Sequence, residues 1–78
     1  MRFTYNLGKN IKLKLERGIG FEALMEQVEK GNYQVARVMS RTHKGQACFI
    51  FRHNKKTWIA PFTEYKTRIH LYTVFQRD

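Results

Sequence analysis

The stretch FTYNLGKNIKLKLERGIGFE, residues 3 to 22, decides the fold, because it leads from an aromatic-ended strand through a helix-forming segment into a second helix. From Arg2 to Asn6 apolar and polar side chains alternate, with Phe3 and Tyr5 on one face, which predicts a short strand. Asn6 then stands where a helix N-cap is expected. The next residues read two ways. Leu7, Ile11 and Leu15 recur at helical spacing, whereas Ile11 to Leu15 also alternates as a strand does, so a first hairpin turning at Leu7-Gly8 remains open on pattern alone. Beyond Gly18 the pattern has one reading. Phe21, Leu24, Met25 and Val28 fall on one helical face, Glu22 suits the start of the helix dipole and Lys30 its end, and Gly31-Asn32 supplies a stop.

After Asn32 the period becomes two. Strands are expected over Tyr33 to Met39, Ala47 to Arg52, Thr57 to Phe62 and Arg68 to Phe75. A polar basic loop, Ser40 to Gln46, joins the first two, and a tight turn at His53-Asn54-Lys55 joins the next two. Every connection is shorter than a crossover helix, so the expected architecture is α+β: strand-helix-helix followed by a four-stranded antiparallel sheet. Pro61 near the end of its run marks an edge position or a bulge.

Seventy-eight residues make a single domain, 1 to 78. No apolar run approaches the roughly 18 residues of a membrane span, and no signal-peptide core opens the chain, so a cytoplasmic protein is expected. Cys48 is the one cysteine and lies in the apolar run ACFIF, which reads as a buried structural thiol. Its isolation and the scattered histidines point to no metal site and no cofactor. The net charge is +9, and it is uneven. Residues 1 to 30 carry six basic against four acidic side chains, and residues 31 to 78 carry nine against two. A field of this kind favours a polyanionic partner, RNA or DNA, or an acidic protein. The scarcity of carboxylates beyond residue 30 argues against a two-metal nuclease, and no Gly-rich phosphate loop or nucleophile elbow is present.

Arg68, His70 and Tyr72 are spaced by two, so they share one face of the last strand, while Ile69, Leu71 and Phe75 take the other and enter the core. Cleavage of RNA by its own 2′-hydroxyl needs a proton acceptor, a cation for the phosphate and an acid for the leaving oxygen. Imidazole, guanidinium and phenol supply these, and Arg52 on a neighbouring strand offers a second, bidentate phosphate contact. The structural reading of the same pattern is a sheet with one buried and one wet face. For RNA binding, Arg41 and Lys44 in one loop and His53, Lys55 and Lys56 in the other offer phosphate contacts, although the histidines of both loops also read as ordinary solvated residues. Tyr65, Tyr33 and Trp58 are aromatic surfaces for unpaired bases, with Trp58 read first as core and Tyr65 as the exposed one.

The N-terminal stretch, with Phe3, Tyr5, Asn6, Lys9-Asn10, Arg17-Gly18-Ile19 and Phe21-Glu22, resembles the opening of BrnT-like toxins, RelE-like ribonucleases of type II toxin–antitoxin systems. Gly45-Gln46 before Cys48-Phe49-Ile50, the run Trp58 to Phe62 ending in Pro-Phe, and Ile69 to Phe75 are similar to later segments of that family. The resemblance implies a RelE-like fold with a helix ending at Gly18, a metal-independent endoribonuclease activity on RNA, and a cognate antitoxin protein that neutralises it. The family usually continues with a Ser-Arg-Lys or Ala-Arg-Lys step and a further helix, whereas this chain ends at Gln76-Arg77-Asp78, leaving Arg77 as the counterpart of that arginine. That departure favours a second expectation, a non-catalytic phage or mobile-element relative that inhibits a host nucleic-acid-handling protein; a nucleic-acid-binding module is a third.

Overall fold

Asn6 begins the first helix as expected: its backbone is extended and its side-chain oxygen accepts the Lys9 amide at 2.9 Å. In the computed structural model, which describes residues 2–37 and 46–77, the order is β1 (Arg2–Thr4), α1 (Leu7–Arg17), α2 (Phe21–Glu29), β2 (Gln34–Arg37), β3 (Gln46–His53), β4 (Lys56–Glu64), β5 (Arg68–Leu71) and β6 (Phe75–Gln76). The hairpin alternative for residues 7 to 17 is thereby excluded. Gly18 ends α1 in the left-handed conformation, φ 71°, with its amide on the Lys14 carbonyl.

The spacing that suggested α1 is not the face that packs. Leu7, Ile11 and Leu15 are 72%, 61% and 82% exposed, and the buried residues are Asn10 and Leu13. Asn10 is a buried polar group bonded through both ends of its amide. Its Oδ1 accepts the Phe21 amide at 2.7 Å, capping α2 from a neighbouring helix, while its Nδ2 donates to the Glu22 carboxylate at 2.6 Å. Lys14 closes the same carboxylate from the other side. Gly20 fits between them because it has no side chain: a Cβ there would stand 2.8 Å from Asn10 Oδ1 and 2.8 Å from Glu22 Oε1.

The strands run β1-β5-β4-β3-β2 across the sheet, with β6 also on β4. This sheet is mixed, not the four-stranded antiparallel one expected. β1 lies parallel to β5, with Phe3 beside Ile69 and Thr4 beside His70, so its partner is a strand far along the chain and not a sequence neighbour. Short connections constrain only consecutive strands, and β1 is free of that constraint.

The expected last strand, Arg68 to Phe75, is also interrupted. Leu71 pairs with Phe62 and Phe75 with Ile59, so three residues, Tyr72 to Val74, oppose two, Ala60 and Pro61. Tyr72 donates its amide to the Pro61 carbonyl at 3.2 Å, which puts the proline nitrogen, with no hydrogen to give, on the same edge. The extra residue reverses the facing of the residues after it. Val74, not Phe75, is the buried residue, and Phe75 is 38% exposed on the opposite face. Arg17 of α1 holds the interruption, donating to the Val74 carbonyl at 2.8 Å and to Thr73 Oγ1 at 3.1 Å.

Both helices cover one face of the sheet. Leu13, Ile19, Phe21 and Leu24 pack on the inward residues of β3, β4 and β5, where Phe49 stacks on Phe62 at 4.2 Å between ring centres. Trp58 belongs to this core, as expected, and its indole nitrogen donates to the His53 carbonyl at 3.0 Å.

Two outcomes test the helix junction. Asn10→Ala strands the Phe21 amide and the Glu22 carboxylate, and the expected loss of about 2 kcal/mol lowers the melting temperature by roughly 10 °C in thermal denaturation. Glu22 supplies a pH dependence. Burial raises its carboxyl, but the hydrogen bonds from Lys14, Asn10 and its own amide outweigh that and hold it below the ordinary 4.5. A group whose pKa falls on folding stabilises the fold fully above its unfolded value and loses that contribution as pH drops through the folded one. The melting temperature of the Glu22→Gln variant should therefore fall less steeply than that of the parent below pH 4.5; parallel curves would refute this role.

Candidate nucleic-acid interface

The alternation that fills the core sends the other half of each strand to the opposite face, which no described helix covers. Arg2, Thr4, Thr63, Arg68, His70 and Tyr72 meet at one end of that face, because β1, β5 and β4 lie side by side there. Thr4 Oγ1 and His70 Nδ1 are 2.9 Å apart, Thr63 Oγ1 and the Tyr72 hydroxyl are 2.7 Å apart, and the His70 and Tyr72 rings meet edge to face with centres 5.0 Å apart. The Arg68 guanidinium lies 4.1 Å over the Tyr65 ring. Of the residues assigned chemistry from sequence, Arg68, His70 and Tyr72 are thus brought together, and Tyr65 is 45% exposed with one ring face under Arg68.

Arg52 stands apart from them. It is opposite Thr57, whereas His70 is opposite Thr63, six residues along β4, which is about 20 Å at 3.3 Å per residue. It therefore contacts no phosphate that His70 reaches, which corrects the expectation of a shared site. Its guanidinium braces the β3–β4 turn instead, donating to Thr57 Oγ1 at 2.9 Å and to the Lys55 carbonyl at 3.0 Å. Asn54 and Lys55 both have positive φ, 51° and 65°, the geometry of a tight two-residue hairpin. Lys55 and Lys56 are exposed there and His53 is half-buried.

Arg77 joins Arg52. Its amide donates to the Thr57 carbonyl at 2.9 Å, and both arginines line a cavity of about 570 Å³ with Tyr33, Gln34, Gln27 and Asn32. Arg41 and Lys44, with His43, lie outside the described residues. Between the two ends the face is apolar, with Cys48, Ile50, Ile59, Pro61 and Phe75. Cys48 is half-buried on this face and not in the core, and burial raises its thiol pKa, which keeps it protonated.

The charges are segregated. Among the described residues, Glu16, Glu22, Glu26 and Glu64 pair with Lys12, Lys14, Lys30 and Arg37, all on the helices or the helix side of the sheet. The open face presents Arg2, Arg52, Arg68 and Arg77 and no described carboxylate, an arrangement that attracts a polyanion and offers planar donors to its phosphates. Thr4, Thr63 and Gln34 are participants that sequence reading did not single out. Thr4 alternates with Phe3 and Tyr5 and so carries a facing signal, but its partner His70 follows only from the parallel pairing. Comparison with protein-family models, curated proteins and solved structures finds no match, so the functional argument rests on this geometry.

Proposed function

We propose that this protein is a basic, metal-independent endoribonuclease of toxin type, which binds single-stranded RNA on the open sheet face and cleaves it at the His70 end. The observation that carries the reading is the grouping of Arg68, His70 and Tyr72 on a wet face without a described carboxylate. Thr4 fixes Nδ1 of His70 and leaves Nε2 for proton transfer. A threonine hydroxyl both donates and accepts, so the ring can be held in the tautomer that makes Nε2 a base. In the reaction Nε2 takes the 2′-hydroxyl proton as the 2′-oxygen bonds to phosphorus and the P–O5′ bond breaks. The Tyr72 hydroxyl, positioned by Thr63, protonates the leaving oxygen, and Arg68 neutralises the phosphate. The products are a 2′,3′-cyclic phosphate and a 5′-hydroxyl.

The test is incubation of end-labelled single-stranded RNA with the protein in chelator. Cleavage leaving cyclic phosphate ends is expected, slowed at least about 100-fold by His70→Ala and by Arg68→Ala while circular dichroism is unchanged. Intact RNA bound with a steep salt dependence would replace the enzyme by a binding module. Neither cleavage nor binding would leave the inhibitor of a host protein.

The exposed stripe of α1 favours a protein partner as well. Leu7, Ile11 and Leu15 form an exposed ridge that suits the apolar face of an amphipathic helix, and we assign this surface to a neutralising antitoxin. In cells arrested by the protein, co-expression of its antitoxin should restore growth, and the Ile11→Glu variant should remain toxic under the same co-expression. Equal rescue of that variant would place the antitoxin elsewhere.

A further inference from the structure

A cavity at the Arg52 end of the sheet, bounded on one side by Gln27 of α2 and about 20 Å from His70 along β4, has its own chemistry. Arg52 and Arg77 flank Thr57 at one side of the 570 Å³ cavity, and Tyr33, Gln34, Gln27 and Asn32 form the other. The volume lies in the range of small-molecule clefts, roughly 300–1,000 Å³. Gln34 lies in β2 and Arg77 directly follows β6, three strand spacings apart across β3 and β4, or about 14 Å. Two guanidinium groups at one wall match a phosphate. The opposite wall matches a base: Tyr33 is 40% exposed and anchored edge-on against Phe49, with ring centres 5.6 Å apart, and three amides offer donors and acceptors for base edges.

We infer that this cavity is a nucleotide site, holding the phosphate of a nucleoside 5′-monophosphate, free or as a unit of RNA, between Arg52 and Arg77 and its base against Tyr33. Among the described residues neither arginine has a carboxylate partner. Arg52 is already oriented by its bonds to Thr57 and the Lys55 carbonyl, which use two of its five donors and leave the rest for a ligand. The site does not require cleavage at His70, so it stands or falls separately from the enzyme reading.

Titration calorimetry of the full chain with adenosine 5′-monophosphate, adenosine and inorganic phosphate provides the test. The monophosphate should bind, with adenosine and phosphate each at least about tenfold weaker, as expected for the loss of a charge-assisted contact or of a stacked base. Arg52→Ala would also release the hairpin, so the discriminating variants are Arg77→Gln, whose described partners are backbone only, and Tyr33→Leu, which keeps an apolar group on Phe49. Each should weaken the monophosphate about tenfold or more with an unchanged melting temperature. Unaltered affinity in both variants, no binding at millimolar nucleotide, or phosphate binding as tightly as the nucleotide would overturn the assignment.

Discussion

The missing N–H of Pro61 governs the open face. β4 is paired along one edge with β3 without interruption, so the proline falls where only the other edge suffers, and there the neighbouring chain has to leave the ladder. It does so by adding one residue, and that residue reverses every facing after it. Val74 enters the core in place of Phe75, while Phe75 and Arg77 turn outward. Without the extra residue Arg77 would face the helices, and Arg52 would stand alone at its end of the sheet. Arg17 fills the gap from α1, meeting a carbonyl that has lost its ladder position, so a surface feature of the sheet and the end of the first helix are fixed together.

The other constraint is the seat of α2. Its first amide is buried, and water cannot satisfy it; Asn10 does so from the middle of α1, which is why an asparagine occupies a face otherwise marked by Leu13. The backbone must come close for this, and Gly20 allows the approach. With Phe21 and Leu24 thus aimed at the sheet, α1 needs to bury little of its own apolar surface. Leu7, Ile11 and Leu15 are left outside, a cost in solubility that a small protein sustains more readily when a partner covers them.

Local signals were legible and pairings were not. Asn6, Gly18 and the stop at Gly31 set helix ends through backbone geometry that a sequence records residue by residue. Alternation placed Trp58, Ile69 and Leu71 inward and Arg68, His70 and Tyr72 outward, and Pro61 marked an edge position or a bulge, which the structure places in the chain opposite it. What alternation cannot carry is which strand lies beside which. The parallel contact of β1 with β5 supplies Thr4 to His70 across 66 residues, and the antiparallel register of β3 with β4 sends Arg52 to the far end. Likewise the single residue added opposite Pro61 shifts Phe75 and Arg77 although nothing in their own neighbourhood changes.

The distribution of charge follows from these pairings and gives the face its character. A chain with fifteen basic and six acidic side chains has an excess of cations, and its described ion pairs fall on helix-side lysines and on Arg37. Arg2, Arg52, Arg68 and Arg77 sit on a surface whose centre is apolar and half-buried, where a guanidinium loses less hydration than an ammonium and its planar donors can meet phosphate in pairs. A lysine field of equal charge would attract a polyanion as well but would hold it loosely. On the proposed reading, two arginine-bearing ends separated by an apolar strip would give a strand of RNA two places to be gripped and a dry stretch between them for its bases.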